Sequence, residues 1–240
     1  MPNNVGKMTT NYSPNFDLQK RDKKNIKYII YHYTGMKSDR SAMRKLTNFN
    51  SKVSCHYFID KYGNLIQLVP DLYVAWHAGK SYWKNSKLLN NSSIGIEISN
   101  PGHEHGYRNF KIKQIKCLIK ISKLLIKKYK IKKQNILGHS DVAPLRKKDP
   151  GEKFPWKFLA KRKIGVWHNL NIRECCKLRG KKNIDNKYFF RKLKKFGYFV
   201  NTSKKNELKK IVNNFQRRFR PELINGKIDR ECVQIVKTLI

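Results

Sequence analysis

The chain has 240 residues and carries 54 lysines and arginines against 16 acidic residues, a formal net charge of +38. At 39% hydrophobic and 12% aromatic it can bury a sizeable core, with room for one main domain and a smaller one. No stretch approaches the roughly 18–20 apolar residues of a membrane-spanning helix, and residues 1–7 lack the apolar core of a secretory signal. The five cysteines (Cys55, Cys117, Cys175, Cys176, Cys232) are odd in number and hold no C-x-x-C pair. That argues against a disulfide framework or a cysteine metal site, and they read as small buried hydrophobes. The lysines are scattered beside Asn and Ile, which fits compositional bias at least as well as a phosphate-binding face. Such a field draws anionic polymers and anionic lipid, and nucleic acid only nonspecifically.

In chain order, residues 26–31 (IKYIIY) read as a buried strand that meets His32 where strand becomes loop. Residues 54–59 form a second strand, containing His56, and residues 93–98 (SIGIEI) a third. In the third, Glu97 has no obviously exposed face; a buried carboxylate without a partner is costly, so Glu97 has either a task or a lysine partner. Residues 111–129 place apolar side chains at helical spacing with lysines between them. That helix is expected to pack on the sheet, with membrane-surface binding as the other reading. Residues 138–151 (GHSDVAPLRKKDPG) gather an imidazole, ammonium groups and carboxylates in a segment rich in turn formers. Residues 164–186 show little periodicity and read as a linker. Three short helices follow, at 187–198 closed by Gly197, at 208–219, and at 230–239 after a turn at Gly226.

Zn²⁺ sites that do chemistry take three protein ligands and leave a fourth position to water. His139 and Asp149 can supply two and His32 a third, while Asp141, two residues after His139, competes as the carboxylate unless it caps its own turn. His103, His105 and His168 have no partner at metal-ligand spacing. Two imidazoles and a carboxylate leave Zn²⁺ a single positive formal charge, enough to acidify water and polarise an amide carbonyl. A carboxylate beside that water can take its proton and pass it to the leaving nitrogen.

Five motifs occur in order: His32-Tyr33-Thr34; residues 53–60 (VSCHYFID) with Gly63 and residues 67–70; Trp76-His77-Ala78-Gly79; residues 91–97 (NSSIGIE); and residues 138–151. Together they resemble the zinc-dependent type 2 N-acetylmuramoyl-L-alanine amidases, in particular the bacterial AmiD and AmpD group, over roughly residues 10–165. The resemblance implies an α/β fold with a mixed central sheet flanked by helices, and zinc held by His32, His139 and Asp149. It implies Glu97 as the catalytic glutamate and Lys147 as the catalytic lysine sharing the oxyanion's charge, the plainer alternative being one more solvated lysine. His77 is not a ligand in this pattern and is expected to line the substrate groove with Trp76, while His56 fills the sheet. Phe196-Gly197-Tyr198, residues 212–221 and residues 226–229 are similar to the peptidoglycan-binding three-helix modules of AmiD-type amidases. The implied organisation is a catalytic domain at 10–165, a linker at 166–186 and a helical domain at 187–240. The implied reaction hydrolyses the bond between N-acetylmuramic acid, or its 1,6-anhydro form, and L-alanine, in peptidoglycan or muropeptides. A non-catalytic peptidoglycan binder of the same fold is the alternative, against which the presence of all three ligands argues. The helical module favours the bacterial cell envelope; the missing signal favours the cytoplasm.

Overall fold

Isoleucine and tyrosine dominate the two longest strands, YIIYHY and SIGIEI, and both are buried on both faces. The computed structural model describes residues 8–181 and 184–240; segment 1–7 and two residues of the expected linker lie outside the described residues. Its strands are β1 (Thr9–Thr10), β2 (Phe16–Asp17), β3 (Tyr28–Tyr33), β4 (Tyr57–Ile59), β5 (Leu65–Gln67), β6 (Val74–Ala75), β7 (Tyr82–Trp83), β8 (Ser86–Lys87), β9 (Ser93–Ile98) and β10 (Ile136–Gly138). The main sheet runs β1-β5-β4-β9-β3-β10, with β2/β6 and β7/β8 as separate ribbons. β3 pairs parallel with β9 and β10, and β4 pairs antiparallel with β5, so the sheet is mixed as expected. The helices are α1 (Asp39–Thr47), α2 (Ile112–Tyr129), α3 (His139–Val142), α4 (Trp156–Ala160), α5 (Ile172–Leu178), α6 (Asn186–Phe196), α7 (Lys205–Phe219) and α8 (Arg230–Thr238).

Period-two alternation sends the two faces of the sheet into different cores. Ile29 and Tyr31 of β3 and Ile94, Ile96 and Ile98 of β9 pack with Ile115, Leu118, Ile121 and Leu125 of α2. Tyr28, Ile30 and Leu137 point the other way, into a core shared with Phe189, Leu193 and Phe196 of α6 and Phe215 and Phe219 of α7. The apolar stripe of α2 is therefore buried on the sheet, its lysines stay outside, and no helix of the described residues is long and apolar enough to cross a membrane. The C-terminal helices close the opposite face.

Residues 166–186, expected to be a linker, hold α5, capped by the Asn171 side chain on Glu174 N. The signal was weak because only Cys175 of this helix is buried and Ile172 is 74% exposed. Trp167 packs 5.9 Å from the Phe219 ring, and Arg179 pairs with the buried Glu231 at 2.7 Å. Gly197 ends α6 at φ 146°, and a Cβ there would meet the Trp83 indole at 2.5 Å. The glycine thus both stops the helix and lets the β7/β8 ribbon pack against it. Cys55, Cys175 and Cys232 are buried, Cys117 is half-buried and Cys176 is exposed; all five are free thiols.

Because Phe215 is fully buried in the core that sheet and bundle share, Phe215→Ala is expected to cost about 3–5 kcal/mol and to shift one common unfolding transition. Denaturant melts followed by far-UV circular dichroism and by tryptophan fluorescence check this. Coincident midpoints are expected, and a bundle that melts apart from the sheet contradicts it.

Candidate metal centre and active site

Register does the first part of the assembly. β3 and β9 lie side by side with His32 opposite Glu97. On the next strand, β10 ends at Gly138 and hands directly to α3, which begins with His139. The chain then returns so that the carbonyl of Asp149 accepts from Ser140 N at 2.8 Å. His32 Nδ1 and His139 Nδ1 are 2.9 Å apart, and Asp149 Oδ2 lies 3.1 and 3.0 Å from them. All three residues are buried and form a group able to hold a metal. Asp141, the competing carboxylate, faces away: its Oδ2 accepts from Gly138 N at 2.7 Å, as a turn cap, and the carboxylate also meets Arg218 and Tyr198.

The protons of this group can be assigned from its outer partners. His139 Nε2 faces the carbonyl of Ala78 at 3.1 Å, nearer than the Arg146 guanidinium at 3.4 Å, so this nitrogen carries the hydrogen. On the other side, Ser93 Oγ donates its only proton to the Leu89 carbonyl at 2.6 Å and accepts from His77 Nε2 at 3.1 Å. His77 Nδ1 is then bare and accepts from His32 Nε2 at 3.0 Å. Both Nδ1 atoms facing Asp149 are therefore lone pairs in the neutral rings. Burial holds His32 down at about 4, with His139 adding to the effect. Three proton-free donors about 3 Å apart repel one another unless a cation lies among them. Zn²⁺ bonds of about 2.0–2.1 Å in a tetrahedron place neighbouring donors roughly 3.3 Å apart, so the donor set fits this ion.

The ligands open onto a cleft of about 370 Å³ whose walls include Glu97, Trp76, Lys45, Arg146 and Lys147. Glu97 Oε2 is buried with no hydrogen-bond partner, and no ion pair to it exists among the described residues. Burial, then Asp149, pushes its carboxyl well above the ordinary range, while Lys147 and Lys45 pull it down. Trp76 is held at the cleft by its Nε1, which donates to Asp17 at 2.7 Å. His77 borders the same cleft, but both its ring nitrogens are engaged, by His32 and Ser93, so no hydrogen-bonding atom is left for a groove occupant. His77 thus lines the cleft beside Trp76, as expected, and in addition orients His32. His56 fills the sheet as expected, its Nδ1 accepting from Gly95 N at 3.0 Å.

Ser93 and Gly95 were missed. They occupy the same face of β9 as Glu97, opposite Ile94, Ile96 and Ile98, and a Cβ on Gly95 would meet the His77 ring at 2.4 Å. The signal was the alternation itself, small residues on one face and isoleucines on the other. His103, at the rim, pairs with Glu152 at 3.1 Å, a partner 49 positions away that spacing rules do not reveal. Arg146 donates to the carbonyls of Ala78 and Lys80, tying residues 78–80 to the loop that carries Asp149.

Fold and cleft together are those of a hydrolase, with a donor set able to hold a metal. The chain belongs to the N-acetylmuramoyl-L-alanine amidase family, whose model matches residues 22–152. It is 36% identical over 231 residues to the N-acetylmuramoyl-L-alanine amidase AmiD of Escherichia coli, covering 90% of this chain and 82% of that protein. The structure of E. coli AmiD with the substrate anhydro-N-acetylmuramic acid-L-Ala-D-gamma-Glu-L-Lys superposes with a TM-score of 0.81 at 33% identity, over 93% of this chain and 91% of that one. AmpDh3 of Pseudomonas aeruginosa, in complex with an anhydromuramic pentapeptide, gives 0.81 at 27% identity over 94% and 95%.

Three neutral, buried histidines give the metal-free protein a definite acid response. Burial depresses His32 to about 4 and His56 to about 3, aided by His139 and Arg21 respectively, and puts His77 well below its ordinary value, aided by His32. The unfolded chain takes up these protons near pH 6.5 and the folded one does not, so stability is complete above 6.5 and falls as pH drops below it. Each contributes up to about 1.4 kcal/mol per pH unit. Urea unfolding of the metal-free protein is expected to show a loss on the order of 2–4 kcal/mol between pH 7.5 and 5.5; equal or greater stability at pH 5.5 contradicts the assignment.

Proposed function

We propose that this chain is a zinc-dependent amidase that cleaves the bond between N-acetylmuramic acid, or its 1,6-anhydro form, and L-alanine of peptidoglycan or muropeptides. The observation that carries the proposal is a proton-free His32, His139 and Asp149 set beside a partnerless glutamate in one cleft. The solved relatives bound to anhydromuramic peptides support the substrate class.

His32, His139 and Asp149 would hold Zn²⁺, which when bound would supply acidification of water and polarisation of the scissile carbonyl. Glu97 takes the proton of the attacking water on its unpartnered oxygen and delivers it to the amide nitrogen, so the L-alanine amine leaves neutral. Lys147 donates to the carbonyl oxygen as negative charge gathers there, worth on the order of a few kcal/mol. Trp76 offers an aromatic face to the substrate, and the basic rim of Lys45, Arg146 and Lys148 suits the carboxylates of a stem peptide. Intact wall of this chemistry is met in the cell envelope, the compartment this proposal favours.

Mass spectrometry of purified muropeptides tests it. Free stem peptide is expected from the wild type, not after chelation, and again once zinc is returned. Glu97→Ala is expected to lower kcat about 10²–10⁴-fold and Lys147→Met about 10²–10³-fold, with zinc retained. Folded, zinc-loaded protein that releases nothing from any muropeptide overturns the proposal and leaves the non-catalytic binder of the same fold.

A further inference from the structure

The C-terminal helices cover the sheet with apolar side chains, but α7 also buries polar ones, which packing alone does not require. Asn214 and Arg218 are 3% and 2% exposed. They lie four residues apart with Arg217 between them, on one stripe of the helix. A buried amide or guanidinium is costly without partners, and here the hydrogen-bond partners outside α7 lie on one segment, residues 136–152. Asn214 Nδ2 donates to the carbonyls of Pro144 at 2.7 Å and Lys147 at 3.0 Å, while Arg217 donates to Asn214 Oδ1. Arg217 Nε donates to Glu152 at 3.1 Å, three residues after Asp149. Arg218 meets the Asp141 carboxylate and the Ile136 carbonyl, the latter at 3.1 Å, beneath His139. Tyr198, from the turn after α6, donates to the same Asp141 carboxylate.

That segment carries His139, Lys147 and Asp149. Its ends are gripped through Asp141 and Glu152, and its middle, where the backbone of Lys147 lies, is gripped by Asn214. We infer that α7 is a clasp that sets the catalytic loop, and that Asn214 is a positioning residue for Lys147. The inference rests on the proposed role of Lys147. A helical appendage that served only to bind glycan would have no use for these buried amide-to-carbonyl bonds.

The test uses the full-length, zinc-loaded protein with anhydro-muropeptide as substrate. Asn214→Asp keeps the shape but turns a donor into an acceptor facing two carbonyls, and Asn214→Ala removes it. Gln216→Ala is the comparison, because Gln216 is equally buried but bonds to Asn225, Gly226, Lys227 and Cys232, all within the bundle. Asn214→Ala, and Asn214→Asp where it folds, are expected to lower kcat about tenfold or more with KM within about twofold and zinc affinity kept. Gln216→Ala is expected to lower Tm comparably with kcat within about twofold. In the Lys147→Met background, Asn214→Ala is expected to cost no further kcat, since one acts through the other. Wild-type kcat in both Asn214 variants, an equal loss in Gln216→Ala, or additive losses in the double variant overturns the inference. Full activity in Lys147→Met alone overturns the proposed site, and the clasp with it.

Discussion

Three lone pairs aimed at one point, with no proton among them, are the constraint on which the rest of this structure turns. Imidazole tautomers are set by what the far nitrogen meets, and here both far nitrogens are committed, one directly to the Ala78 carbonyl and one through His77 and Ser93 to that of Leu89. Carbonyls accept only, so the direction of each donor is fixed from the outside inward. The repulsion left at the centre is what a divalent cation relieves. Burial strengthens the arrangement, because the same low-dielectric surroundings that keep His32 neutral keep water from screening the carboxylate of Asp149.

The sheet supplies this geometry through its simplest property. On β9, isoleucines at 94, 96 and 98 face α2, while Ser93, Gly95 and Glu97 face the cleft and the histidines. Ser93 anchors His77, Gly95 leaves space for its ring, and Glu97 sits beside His32 with an oxygen left unpartnered. Three consecutive outward-facing positions of one strand thus serve support, clearance and chemistry. A shift of one residue in the β3/β9 register would turn Glu97 into the α2 core.

Much of the site was legible because the amidase motifs lie close to their residues of interest: strand to His32, loop to His139, Lys147 and Asp149, and a glutamate in an apolar run. What could not be read from spacing was the set of partners that arrives from far along the chain. His77 borders the cleft beside Trp76, but its bond to His32, 45 residues earlier, is not visible in the spacing. The short α5 went unseen because one buried cysteine makes no periodicity. The three C-terminal helices were legible from their phenylalanines and glycines, but the direction of their apolar faces was not. Those faces close the sheet, and the polar stripe of α7 meets the loop between His139 and Asp149.

The central claim is the protonation pattern, and it is open to direct measurement by long-range ¹H–¹⁵N correlation of the histidine rings in metal-free protein, followed by zinc addition. The account predicts the ring proton of His32 and of His139 on Nε2, with His77 likewise protonated on Nε2. One equivalent of zinc should then displace the Nδ1 resonances of His32 and His139 while His77 and His56 keep their tautomers. A proton on Nδ1 of either His32 or His139, or zinc displacing a His77 or His56 nitrogen instead, would contradict it.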